Sequence, residues 1–294
     1  MIAGLTALAM GGVAELGAAP APALSPSARR APVPPLTTCP ASRDISTLPV
    51  FARTGLTEIP DDLTVDQAGN VWVTVEVQGH ILEFGPDGTL RQDIPDRAGP
   101  EGIIVTPTTT VVADQLQSRV DRLTPDGRVL PFLPLPNPHH RLPVDGLGYD
   151  ADRQRLLVPN SPDGTLLATP LSSPAPRLLA SGLGRPVAAV VGPGGFLYVA
   201  AESPVGLVRI PPRGGTARRI GQLKNLDEVV TAGGLLYTTG AGDGTVRAVD
   251  PTSGADVVLV TGGKQLQGLT VRPDGGLLVI SSVTHTISVV SPCS

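Results

Sequence analysis

Five polar side chains recur along this chain at nearly even spacing: Asp61, Glu101, Asp145, Asp227 and Gln267. With Val187 standing between Asp145 and Asp227, the successive intervals are 40, 44, 42, 40 and 40 residues. Asp62 and Glu228 directly follow two members of the series and add charge beside them. Carboxylates brought together repel, and they relieve the repulsion by taking up protons or by holding a cation. Carboxylate and amide oxygens suit Ca²⁺, or Mg²⁺ that keeps part of its water shell. The five residues are therefore the candidate metal ligands, with Ca²⁺ as the expected cation and another divalent ion left open. A water-filled channel, in which the same side chains only satisfy strand ends and solvent, is the competing reading. Asp227 and His285, the latter in "SVTHTIS", are the candidates for moving a proton or attacking a substrate. His285 also has a plain reading as a polar loop residue.

The even spacing comes from an internal repeat, the feature to seek first in any chain. Six segments align: "IPDDLTVDQAGNVWVTVE", "GPEGIIVTPTTTVVADQ", "PVDGLGYDADRQRLLVPN", "GRPVAAVVGPGGFLYVAAE", "KNLDEVVTAGGLLYTTG" and "QLQGLTVRPDGGLLVIS". Each holds an alternating apolar run, a turn and a second apolar run, and no helical period competes. A third and fourth run follow, separated by turns such as "GPDG" at 85–88 and "TPDG" at 124–127. Proline presets one corner of such a turn and glycine tolerates the positive φ at its close. Four short antiparallel strands per repeat, six times over, predict an all-β fold, a six-bladed β-propeller. Its innermost strands would line a central channel, and the six reference positions would form a ring at one mouth. A slip of one residue would turn a ring side chain away from the axis.

The phase of the repeat predicts how the ring closes. The last unit ends after three strands, while "ISTLPVFART" at 45–54 precedes the first unit where a fourth strand belongs. The N-terminal segment is expected to supply the outer strand of the last blade, which removes two open sheet edges. The propeller is thereby assigned to residues 45–294. Cys39 and Cys293 are the only cysteines and stand at the two ends of it. In an exported chain they suggest one disulfide across the closure.

Export is itself an expectation. Residues 1–24 read as a secretory signal peptide, an Ala/Leu/Gly-rich run followed by small residues at Ala21 and Ala23, although a basic n-region is lacking. The alternative is a plain Ala/Pro tail. The apolar run is short for a span of ~20 residues, so no membrane span is expected in the mature chain. Residues 25–44 read as a Pro-rich linker carrying Cys39. The chain holds 35 Gly and 32 Pro in 294 residues, which fits many short elements rather than long helices. Its net charge of −4 argues against a nucleic-acid binder, which carries a basic face. A secreted or periplasmic monomer with a small-molecule substrate or ligand at the channel mouth is the expected setting.

Loops between second and third strands should open at the same mouth. They offer Glu76, Asp114, Asn160, Glu202 and His285. His139 and His140, in "LPNPHHRLPVD", lie in the longest connection between repeats, just before Asp145, and read as solvated loop histidines. No nucleophile elbow, P-loop, dinucleotide fingerprint, zincin motif or EF-hand loop is present.

The segments "GPEGIIV", "DDLTVDQAGNVWV", "VADQLQSRV" and "LQGLTVRPDGGLLV" resemble repeats of the gluconolactonase/regucalcin-like (SMP-30-type) six-bladed propellers, a style shared with NHL repeats. The resemblance covers about residues 45–290. It implies a divalent cation, typically Ca²⁺, held at the channel centre by Glu, Asn, Asn and Asp from the first, third, fourth and fifth blades. Asp227 matches the last of these. Asp61 is a shorter acid at the first, Asp145 replaces the first Asn, and Val187 removes the fourth-blade ligand, for which Glu101 is a substitute from the second blade. The terminal cysteine pair is similar in placement to the end-joining disulfide of the related paraoxonases. "GHILEFGPDGTLRQ" and "VDRLTPDGRVLPFLPLP" also resemble virginiamycin B lyase-type propellers, which usually have seven blades and a His/Glu arrangement not evident here. Together these features imply a metal-dependent hydrolase of lactones, esters or phosphoesters. The alternative is a non-catalytic ligand- or protein-binding propeller, and a lyase is a weaker third.

Overall fold

The computed structural model describes residues 34–55, 58–96, 98–135, 144–202 and 205–294. The expected signal peptide, His139 and His140 lie outside the described residues. The second strand of each repeat is largely buried on both faces, as the consecutive Leu277, Leu278, Val279 and Ile280 illustrate. Strands packed between two neighbouring sheets need apolar side chains on both sides. Outer strands need only one such face, and Leu90–Pro95 is exposed except at Ile94.

Six sheets result, each built on four antiparallel strands. The first blade runs Leu63–Val65, Val71–Val75, His80–Phe84 and Leu90–Pro95 from the inside out. The second begins at Pro100–Val105 and the third at Gly148–Asp150, extended inward by the bridge between Val144 and Asn160. The remaining inner strands are Pro186–Val191, Leu226–Ala232 and Leu266–Val271. Turns of the Pro-Asp-Gly kind close the outer hairpins, with Gly88 N donating to Gly85 O and Gly127 N to Thr124 O, both at 2.9 Å.

The ring closes as the repeat phase requires. Val50–Arg53 pairs antiparallel with Thr286–Val290 and is the outer strand of the sixth blade. A second N-terminal strand, Arg43–Asp44, adds in parallel to Asp256–Thr261 at the edge of the fifth blade. Residues just before the propeller are thus folded against two blades rather than one. Cys39 and Cys293 form a disulfide that spans 254 residues of sequence. Cys293 is buried among Leu36, Leu48 and the fifth- and sixth-blade core, and its N–H donates to the Tyr237 hydroxyl at 3.1 Å.

Candidate functional site

Most inner strands carry a register shift at the ring position. The shifts fall between Pro100 and Ile103, Pro186 and Ala188, Leu226 and Val229, and Leu266 and Leu269. An extra residue in one strand of a pair bends it and re-aims a side chain. In the first blade Thr74 does the equivalent work. Asp61 N donates to Thr74 O and Thr74 N donates to Asp62 O, each at 2.9 Å, while Asp62 N donates to Thr74 Oγ1 at 3.0 Å. Thr239 repeats this in the fifth blade, accepting from Glu228 N at 2.9 Å.

Neighbouring inner strands approach closely because glycine follows three of the ring residues, as Gly102, Gly146 and Gly268. A Cβ on Gly102 would lie 2.5 Å from Asp145 O, and one on Gly268 would lie 2.8 Å from Asp62 Cα. Gly102 N donates to Asp145 O at 3.0 Å and Gly268 N to Asp61 O at 2.8 Å. Ring residues of adjacent blades are therefore tied main chain to main chain.

This geometry brings Asp61, Glu101 and Asp145 together. One oxygen from each lies within 4.8 Å of the other two. Glu101 is buried, and Asp61 and Asp145 are half-buried. Gln267 Nε2 donates to Asp61 Oδ1 at 2.9 Å. Gln115, just past the second strand of its blade, donates through Nε2 to Glu101 Oε1. Arg185 joins Asp145 Oδ2 through Nη2 at 2.9 Å and Glu202 Oε1 through Nη1. Asp227 stands outside the group of three but interacts electrostatically with Asp145 and Asp61. Glu76 interacts with Asp61 and Glu101. Val187, at the remaining ring position, is fully buried in the core between the fourth and fifth blades.

Burial and mutual repulsion dominate the electrostatics. Burial first, then the charges of Asp145 and Asp61, push the Glu101 carboxyl far above the usual carboxylate range. Asp145 is pushed up to about 7 by burial and by Asp61, against the opposing pull of Arg185. Burial raises Asp227 well above its ordinary value, and Asp145, Asp61 and Asp62 add to the shift. Asp62 accepts from Leu63 N at 2.7 Å and from Ile103 N at 3.1 Å, yet burial raises it to about 8. Without a cation, several of these groups hold protons at neutral pH. A hard divalent ion is the other way to satisfy three converging carboxylates, and this donor set fits one.

His285 sits on the loop between the second and third strands of the sixth blade, with φ of 54°. Its Nδ1 bonds Glu58 O, and its own carbonyl accepts from Thr54 N at 3.1 Å. Its hydrogen bonds therefore go to the chain entering the first blade rather than to a ring acid. Asn160 Nδ2 donates to Asp163 Oδ2 at 2.9 Å.

Asp114 belongs to a different group. It is fully buried beside Asp96 and Asp121, and Asp121 is held by Nε and Nη2 of Arg119, at 2.6 and 2.7 Å. No N–H or O–H donor other than a shared carboxyl proton faces the Asp114 oxygens among the described residues. Burial, then contact with Asp121 and Asp96, raises Asp114 to about 10.

Ring spacing did not point to Arg185, Gln115 or Thr74. Two of them had a faint signal. Arg185 is two residues before the one ring position that lacks a polar group, and Gln115 directly follows a second strand.

No family model matches the chain, and no curated protein matches it. Solved structures share its fold at low identity. A gluconolactonase from Xanthomonas campestris superposes with a TM-score of 0.67 at 16% identity, covering 80% of this chain and 86% of that one. A calcium-binding regucalcin from Agrobacterium tumefaciens gives 0.65 at 15% identity, covering 83% and 95%. Virginiamycin B lyase from Staphylococcus aureus gives 0.63 at 15% identity, covering 83% and 99%. The chain is a six-bladed β-propeller that structurally matches lactonase, regucalcin and lyase propellers, with an acidic cluster at its channel.

Proposed function

We propose that the channel mouth holds one divalent cation, Ca²⁺, on Asp61, Glu101 and Asp145, and that this site hydrolyses a lactone, ester or phosphoester. The observation that carries the reading is the convergence of three carboxylate oxygens within 4.8 Å, one of them from a buried glutamate. When bound, such a cation polarises a carbonyl or phosphoryl oxygen as a Lewis acid. The protein's own groups do the rest. Gln267 orients Asp61, Gln115 orients Glu101, and Arg185 holds Asp145 against Glu202. Asp227, raised well above its ordinary value by burial beside these acids, is the group placed to carry a proton to or from the substrate. His285 is a second candidate: its Nδ1 is taken up by Glu58 O, which leaves Nε2 as the ring nitrogen for a substrate. The disulfide fits an oxidising compartment, so the setting is secreted or periplasmic. The ligand is a small molecule reaching the mouth of a monomer.

A non-catalytic binding ring is the second reading, favoured by Val187, which leaves one ring position without a ligand atom. Calorimetry with Ca²⁺, followed by a screen of lactones, aryl esters and phosphotriesters, separates the two. Loss of turnover in Asp227→Asn with cation binding retained supports the hydrolase. Tight cation binding with no turnover of any class would leave the binding ring.

A further inference from the structure

Eight large apolar side chains are exposed among the described residues, and they fall into two sets. Val50, Leu90, Leu130 and Leu178 lie on outer strands, where single exposed apolar residues are ordinary. Ile59, Val77, Leu116 and Val283 all lie on the face of the channel mouth. Val77, Leu116 and Val283 occupy the same place in the repeat, the second residue after the second strand of the first, second and sixth blades. Their exposures are 67%, 68% and 47%. The corresponding residues of the third and fifth blades are Pro162 and Gly242, each followed by an aspartate.

The three apolar loops belong to consecutive blades, because the sixth blade borders the first. Contacts knit them into one arc. Ile59 N donates to Gln78 Oε1 at 3.0 Å, joining the chain entering the first blade to its own loop. Glu58 O bonds His285, next but one to Val283. Leu116 N donates to Ala98 O at 3.0 Å, between the first and second blades. The arc is continuous with the acidic centre: Val77 follows Glu76, which interacts with Asp61 and Glu101, and Leu116 follows Gln115, which bonds Glu101. The opposite half of the mouth carries Arg185, Glu202 and the polar loops.

Exposed apolar side chains on adjoining loops around a buried polar centre mark a ligand site. We infer that the mouth takes an amphiphilic ligand, an ester or lactone whose polar head enters the acidic centre and whose alkyl tail lies over Ile59, Val77, Leu116 and Val283. This rests on the reading of the centre as an ester- or lactone-binding site and adds the tail as the group that selects the substrate.

The test uses the Ca²⁺-loaded full chain and 2-alkylcyclopentanones, lactone analogues that cannot be hydrolysed, with ethyl, hexyl and decyl chains. Burial of one methylene tightens binding about fourfold. The dissociation constant should fall steeply from ethyl to decyl. In Val77→Ser/Leu116→Ser/Val283→Ser the decyl compound should bind at least about tenfold more weakly, with Ca²⁺ binding unchanged by calorimetry. Equal affinity for all three chains, or the same slope in the variant, overturns the inference. Because Ca²⁺ binding is read separately, that result leaves the cation reading standing. Pelleting with phosphatidylcholine vesicles, lost in the variant and unaccompanied by any chain-length dependence, would overturn it too, by making the arc a membrane-docking surface.

Discussion

Gln267 Nε2 lies 2.9 Å from Asp61 Oδ1 although 206 residues separate the two in sequence. The bond joins the last blade to the first at the point where the ring closes, and it ends on a candidate cation ligand. Closure and site geometry are therefore one structural event. Gln267→Leu should cost about 1 kcal/mol of stability, the usual net value of one hydrogen bond. It should also weaken Ca²⁺ binding by freeing Asp61. Urea unfolding measured with and without Ca²⁺ separates the two effects.

Glu101→Gln tests whether repulsion at the centre is real. The amide keeps the size of the side chain and removes the cost of holding a buried carboxyl protonated beside Asp61 and Asp145. The metal-free variant should melt higher than the metal-free parent. The parent should gain about 2.7 kcal/mol at a free Ca²⁺ concentration of about 100 times its Kd, and the variant should gain little. A variant that melts lower and still responds fully to Ca²⁺ would remove Glu101 from the site.

The same charges predict how the metal-free protein responds to pH. Asp62 and Asp145 have folded values of about 8 and about 7, both raised from an ordinary 3.8. An acid raised in the folded state binds its proton more tightly there than in the unfolded chain. Its contribution is complete below about 3.8 and is lost as pH rises through about 7 to 8. Metal-free protein should thus be more stable at pH 5 than at pH 9, and saturating Ca²⁺ should flatten that slope. Thermal melting across the range, with chelator or with Ca²⁺, gives the comparison.

Asp114 makes the parallel prediction away from the mouth. Its folded value of about 10 means that a buried proton is shared with Asp96 and Asp121 at neutral pH. Asp114→Asn supplies a permanent donor in place of that proton. The variant should match or exceed the parent's stability at pH 7 and pull further ahead at pH 9. Chemical denaturation at the two pH values reads this directly, and a deficit that grows with pH would contradict it.

The disulfide holds the segments around Cys39 and Cys293 against the fifth and sixth blades. Cys39→Ala/Cys293→Ala should lose up to roughly 5 kcal/mol on the chain-entropy account. Hydrogen exchange should show the loss first in Arg43–Asp44 and Val50–Arg53, the two strands tethered through Cys39. Uniform loss across all six blades would instead mean that the ring opens as a single unit.

The sequence by itself determined the architecture. Alternating runs and turns repeat with a period of about forty residues, and a period fixes the angular place of each residue around a propeller axis. That is why Asp61, Glu101, Asp145, Asp227 and Gln267 were legible as one ring, and why Val50–Arg53 was legible as the missing strand. How far each side chain reaches inward was decided only in three dimensions. Strand shifts at Glu101, Val187, Asp227 and Gln267, and close approach at Gly102 and Gly268, set that reach. They draw Asp61, Glu101 and Asp145 into one cluster and leave Asp227 beside it. Asp114 and His285 show the same limit. A loop position puts a residue on a face of the ring, but its partners come from neighbouring blades, so Asp114 turns to Asp96 and Asp121, and His285 to Glu58. Contacts between blades join residues far apart in sequence, and no period within one repeat encodes them.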